Sequence, residues 1–239
     1  MGVTLDLTGD FEFWFQNATL TVNGTVNASG SGDQGNGWVN RGLCIGDGTT
    51  VINGNGTINL MGKGQLLNIW GGNGRKLTLD GVTLIGVPDN NESLVTVSEG
   101  GELVIVSGAI TGNTRTRESG GGVHVNNATF IMSGGEISGN SANRFGGGVD
   151  VRYGAIFTLE GGTIYGSEAG GGNANTASIA GAALVNGWDD PMPISPTAKW
   201  GTGGTYTKGG VPQTGGSDIV QARRNQDYIN DTLIAIPAR

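Results

Sequence analysis

The sequence predicts an all-β solenoid: one single-stranded parallel β-helix of about 26–27 residues per coil, capped at both ends. Three observations carry this. Gly120-Gly121-Gly122-Val123-His124-Val125 recurs as Gly146-Gly147-Gly148-Val149-Asp150-Val151, 26 residues on. Phe130-Ile131-Met132-Ser133-Gly134-Gly135-Glu136-Ile137 recurs as Phe157-Thr158-Leu159-Glu160-Gly161-Gly162-Thr163-Ile164, 27 residues on. Glycine supplies 48 of 239 residues, roughly three times the usual share of about 7%. Repeated tight corners account for that excess, because glycine accepts φ > 0 without steric cost.

Two sets of positions carry the period along the chain. The first is an apolar-x-apolar triplet at Leu43-x-Ile45, Leu67-x-Ile69, Val95-x-Val97, Val123-x-Val125, Val149-x-Val151 and Ala183-x-Val185. Alternate residues of a strand share a face, so both ends of each triplet point inward and the middle residue outward. The second set is Leu20-x-Val22, Leu77-x-Leu79, Leu103-x-Ile105, Phe130-x-Met132 and Phe157-x-Leu159, with an irregular member near Val51-Ile52. A glycine follows each, and then Val26, Ile110, Ile137 or Ile164 marks a third inward strand after a bend. Asn113 and Asn140 close the corner beyond it and are expected to stack as a structural amide ladder.

The whole chain reads as one β-helix domain. Residues 1–19, with the aromatic run Phe11-Glu12-Phe13-Trp14-Phe15, are expected to cap the first coil. Coils fill 20–210, with a loop insertion near 186–204, and 211–239 folds back as a short helix or strand over the last coil. Segments near 28–42, 86–93, 112–119, 140–145 and 166–181 all leave from one corner, the face of a repeat protein where binding concentrates.

Composition excludes several function classes. Net charge is −7 with no basic run, which argues against a nucleic-acid partner. No apolar stretch approaches the roughly 18 residues of a membrane span. Cys44 is the single cysteine, so no intrachain disulfide forms, and it is expected to be an exposed or loosely packed bystander. Met1-Gly2 leads straight into Val3-Thr4-Leu5 with no export segment, which fits a cytoplasmic chain or one whose signal has been removed. No metal-binding or cofactor motif stands out. Gly71-Gly72-Asn73-Gly74-Arg75-Lys76 lacks the spacing and hydroxyl of a phosphate loop and reads as a turn.

The pattern Gly-Gly-Gly-Val-x-Val followed by Phe-x-Met-x-Gly-Gly-x-Ile-x-Gly-Asn resembles the β-helical repeats of bacterial surface-exposed and secreted proteins. In fold it resembles the right-handed pectate-lyase-like β-helices, with the likeness centred on residues 95–166. The resemblance implies a right-handed coil and an extracellular or cell-surface, adhesin-like protein with a host-surface or glycan ligand. Its motifs specify coils rather than chemistry.

Candidate site residues are few, and none is expected to be catalytic. His124 should lie beside Asp150 on the outer face of the first ladder, and Asn126 beside Arg152. That patch reads either as a polar binding or acid–base site, or as a solvated cross-strand ion pair worth under about 1 kcal/mol. Trp188, followed by Asp189-Asp190, reads as a loop turn, or as a second candidate for stacking a sugar or holding a cation. Arg115, Arg117 and Arg144 share a corner that reads as an ordinary solvated one, or as a place to meet an anionic glycan.

Overall fold

A computed structural model describes residues 4–9, 12–33, 38–39, 42–72, 74–186, 197–200, 204–208, 211–214, 227–230 and 232–235. Every regular element among them is a β-strand, and the parallel strands stack into a β-solenoid. The first sheet runs in order through Glu12–Phe15, Gly42–Ile45, Leu67–Trp70, Val95–Ser98, Val123–Asn126, Val149–Arg152 and Leu184–Asn186. The second and third ladders fuse into one large sheet. They do so because Thr129–Ser138 and Ile156–Ile164 continue unbroken around the bend between them. A small fourth ladder, Thr114–Arg115, Ser141–Ala142 and Thr176–Ala177, stacks in the long corner.

The repeat lies in neighbouring layers, as the periodicity requires. Val123 pairs with Val149 and Phe130 with Phe157, and the two phenylalanine rings sit 5.1 Å apart in a tilted stack inside the column. Leu67, Val95, Val123, Val149, Leu77, Leu103, Leu84, Ile110, Ile137 and Ile164 are all fully buried around this shared interior. Each such side chain contributes roughly 1.5–3 kcal/mol, which offsets the chain entropy lost by ordering so many glycines.

The glycine triplets have two separate causes. Gly120 and Gly146 adopt φ of +80° and +63°, which open the corner. The next two positions lie against the coil above. A Cβ on Gly121 would stand 2.4 Å from Ser141 O, and one on Gly147 only 2.2 Å from Thr176 O. At the last coil the triplet becomes Gly181-Ala182-Ala183. Among the described residues no further corner strand follows Thr176–Ala177, so side chains there have room.

Three positions differ from the sequence expectation. Glu12–Phe15 of the aromatic run is itself a rung, pairing in register with Gly42–Ile45 at the end of the first sheet. In the last rung of the first ladder Leu184, not Ala183, stands opposite the inward Val149, and Val185 stands opposite the outward Asp150, because Gly181-Ala182-Ala183 aligns with the preceding glycine triplet. Leu20 sits at the level of Ile52 and Leu79, and the irregular rung is Thr50-x-Ile52. Thr50 occupies an inward place by donating its hydroxyl to Phe15 O at 3.2 Å.

Within 186–204, Thr197–Trp200 pairs in parallel with Ile156–Leu159 and extends the second ladder. Asp227–Ile229 and Leu233–Ala235 return as antiparallel strands against the last rungs of the first and third ladders. Asn230 Oδ1 accepts from the amides of Gly181 and Ala182, and Gly166 N donates to Thr232 Oγ1.

Candidate binding face on the first sheet

The outer face of the first sheet carries the polar side chains of its strand centres. Register sets Cys44, Asn68, Thr96, His124 and Asp150 in one column, and Trp70, Ser98, Asn126 and Arg152 in the next. The structure therefore brings His124, Asp150 and Arg152 together. His124 Nδ1 lies 2.9 Å from Asp150 Oδ2, and Arg152 Nε forms an ion pair with the same oxygen at 2.7 Å.

This cluster is not the solvated pair that the sequence suggests. Asp150 is fully buried, and His124 and Arg152 are largely covered. The cover is the corner segment before Val123. A Cβ on Gly120 would stand 3.1 Å from Asp150 Cβ and 3.2 Å from His124 Cβ, and its φ is +80°, so glycine there lets the chain close tightly over the pair. Arg115 reaches under the same segment, donating to Ser93 Oγ at 2.9 Å and to Ser119 O at 2.6 Å. It also pairs with Glu92 at 3.3 Å, and Ser93 Oγ donates to Gly120 O.

Burial alone would raise the Asp150 carboxyl. The hydrogen bond and charge of His124, with the Arg152 guanidinium, outweigh it and hold Asp150 below the usual carboxylate range. An ionised Asp150 requires the Nδ1 proton on His124. Burial pushes the Arg115 guanidinium down, with Glu92 and Asp150 opposing. The arrangement is a clamped charge cluster with its acid fixed in the ionised form.

The other candidate positions fall out differently. Arg115 is committed to Glu92 and the corner backbone, and Arg144 lies 3.6 Å from Glu118, so these two do not form an open cationic row. Trp188 and Asp189-Asp190 lie outside the described residues. Cys44 is buried rather than exposed; burial pushes its thiol up to about 11, with a Ser31 hydrogen bond opposing and Glu12 adding.

Farther along the same face, two strand steps from His124 at Asn68, a groove of about 530 Å³ opens. Trp14, Cys44, Ile45, Gln65, Asn68, Trp70, Arg75, Thr96 and Ser98 line it. Trp14 and Trp70 remain 48% and 62% exposed, which is unusual for indoles on a sheet face. Arg75 ties one wall together. Its Nε binds Asp47 at 2.7 Å, its Nη1 donates to Trp70 O at 2.6 Å, and its guanidinium lies 6.0 Å from the centre of the Trp14 ring. No family model, curated protein or solved structure matches this chain. The function of the face therefore rests on its own geometry.

No motif points to this groove, yet strand alternation does. Trp70 follows the inward Ile69, and Phe13-x-Phe15 aligns with Leu43-x-Ile45 at an offset of 30, which turns Trp14 outward. Among the described residues no group of three or more His, Cys, Asp or Glu side chains is placed to hold a metal, and no helix is long and apolar enough to cross a membrane.

Proposed function

We propose that this chain is a non-enzymatic β-helix of the cell surface or extracellular space, acting as a rigid scaffold or adhesin-type module that binds its ligand on the outer face of the first sheet. The observation that carries this reading is the pair of exposed indoles, Trp14 and Trp70, bordering a groove on that face. Aromatic platforms on a stiff sheet bind with little ordering cost, because the column fixes their positions in advance. A bacterial surface origin and kinship with pectate-lyase-like β-helices belong to the same reading, and the Gly-Gly-Gly-Val-x-Val repeat supports them. Incubation of the folded protein with a glycan array and with host-cell surfaces tests it. Saturable binding is expected; a folded protein that adheres to none of them would overturn the binding role.

A second reading, a polysaccharide-active enzyme, draws on the His124–Asp150 contact beside Arg152. It requires that His124→Ala or Asp150→Ala abolish product release from an acidic polysaccharide. The clamped, buried carboxylate favours the first reading, since a general acid or base must reach the reacting atom.

A further inference from the structure

We infer that the Trp14/Trp70 groove is a subsite for an uncharged oligosaccharide, a conclusion that rests on the binding role proposed above and specifies its ligand. Three residues of the lining carry it. Gln65 Oε1, Asn68 Oδ1 and Ser98 Oγ are buried, face no hydrogen-bond partner within the protein, and belong to residues that line this one groove. Buried polar atoms without partners are uncommon in folded proteins, and three around a single concavity mark a place where a ligand completes the bonding.

The chemistry of that ligand follows from the groups present. Gln65 Oε1 and Asn68 Oδ1 only accept, and Ser98 Oγ both donates and accepts, so they suit a partner rich in O–H donors, which sugar hydroxyls are and an ionised carboxylate is not. Charge does not suit an acidic sugar. Arg75 is the cation on the lining, and Asp47 already neutralises it at 2.7 Å. The cations farther along the face, Arg152 and Arg115, are engaged with Asp150 and Glu92. A uronate carboxylate would enter the groove with no unengaged positive partner, and its desolvation would go uncompensated.

The indoles set the length. Trp14 is on the strand two steps from that of Trp70, about 9.6 Å across the sheet, and displaced by one same-face step of about 6.7 Å along it. A short oligosaccharide spans that diagonal with a pyranose ring on each indole and its hydroxyls turned toward Gln65, Asn68 and Ser98.

The test is isothermal titration, with tryptophan fluorescence in parallel, using cellohexaose, xylohexaose, mannohexaose and hexagalacturonate at low and high salt. At least one neutral hexasaccharide is expected to bind with little salt dependence. Trp70→Ala should weaken it about tenfold or more, and Ser98→Ala by a smaller factor. Trp70 is mostly solvent-exposed, so its truncation leaves the core intact; an unchanged circular dichroism spectrum and melting midpoint verify this. Preference for hexagalacturonate, or neutral binding indifferent to Trp70→Ala, would overturn the inference while leaving a binding scaffold in place. Absence of binding to every hexasaccharide, with host-surface adhesion retained, would likewise overturn the groove assignment alone. Loss of both would remove the binding role as well.

Discussion

At the scale of single residues, Asp150 concentrates the most electrostatic consequence. Its carboxylate is fully buried, one oxygen is held by His124 and Arg152, and Oδ1 faces no partner within the protein. Removing the charge takes the buried carboxylate away from both Arg152 and His124, a loss that costs about 3–5 kcal/mol in comparable settings. Asp150→Asn is therefore expected to lower stability by about that amount at pH 7, measured by urea unfolding. The pH dependence has a definite sign. The folded-state pKa of Asp150 is depressed, so its contribution is present above the unfolded value of about 3.9 and is lost as pH falls through the folded one. The wild type should lose stability below about pH 4, and Asp150→Asn should lack that part of the slope. A parallel slope in both proteins would show that other carboxylates carry the acid response.

The His124–Asp150 neighbourhood was legible in the sequence because strand alternation and a 26-residue repeat place both residues outward and adjacent. Its burial was not. That depends on Gly120 allowing the corner to fold over the pair and on Arg115 reaching in from another coil, and neither contact leaves a local pattern. The same limit applies to Trp14, whose outward placement is visible only once Phe13-x-Phe15 is aligned as a rung.

At the scale of elements, the corner asparagines illustrate how one coil locks the next. Asn113 and Asn140 stack as their 27-residue spacing implies, and Asn90 and Asn175 extend the column at both ends. Asn140 Nδ2 donates to Ile110 O and Ser138 O, while its Oδ1 accepts from Asn113 N, so one side chain satisfies buried groups of several strands. Asn90 and Asn175 escape a search by period, because loop insertions change their spacing to 23 and 35 residues. The glycines make a sharper prediction. Gly147→Ala should destabilise by about 3 kcal/mol or prevent folding, since its Cβ would meet the backbone of Thr176 rather than a yielding side chain. Ala182→Gly, at the equivalent place in the last coil, should cost no more than about 1 kcal/mol, the ordinary entropic effect of glycine. Equal losses in the two variants, read from thermal or urea midpoints, would contradict the steric account.

At the scale of the whole molecule, stability is close to a sum over coils and the contacts between neighbours. Interior rungs bury both faces of their backbone pairing, whereas the first rungs bury one. Leu5 and Phe13, at core-facing levels of the column, are still 49% and 46% exposed. Amide hydrogen exchange should therefore be slowest through Val95–Ser98, Val123–Asn126 and Val149–Arg152, and fastest in Thr4–Leu7 and Glu12–Phe15. Uniform protection from end to end would instead indicate a single cooperative unit with no fraying.

The Gly-Gly to Ala-Ala change at 182–183 makes the extent of the column an editable quantity. Duplicating residues 120–145 in tandem should seat an extra layer and lengthen the axis by about 4.8 Å, because each copy brings the two bare positions on which its successor rests. Grafting a layer beyond residue 183 should first require Ala182 and Ala183 to be stripped back to glycine, since a methyl group at those two places acts as the molecular full stop.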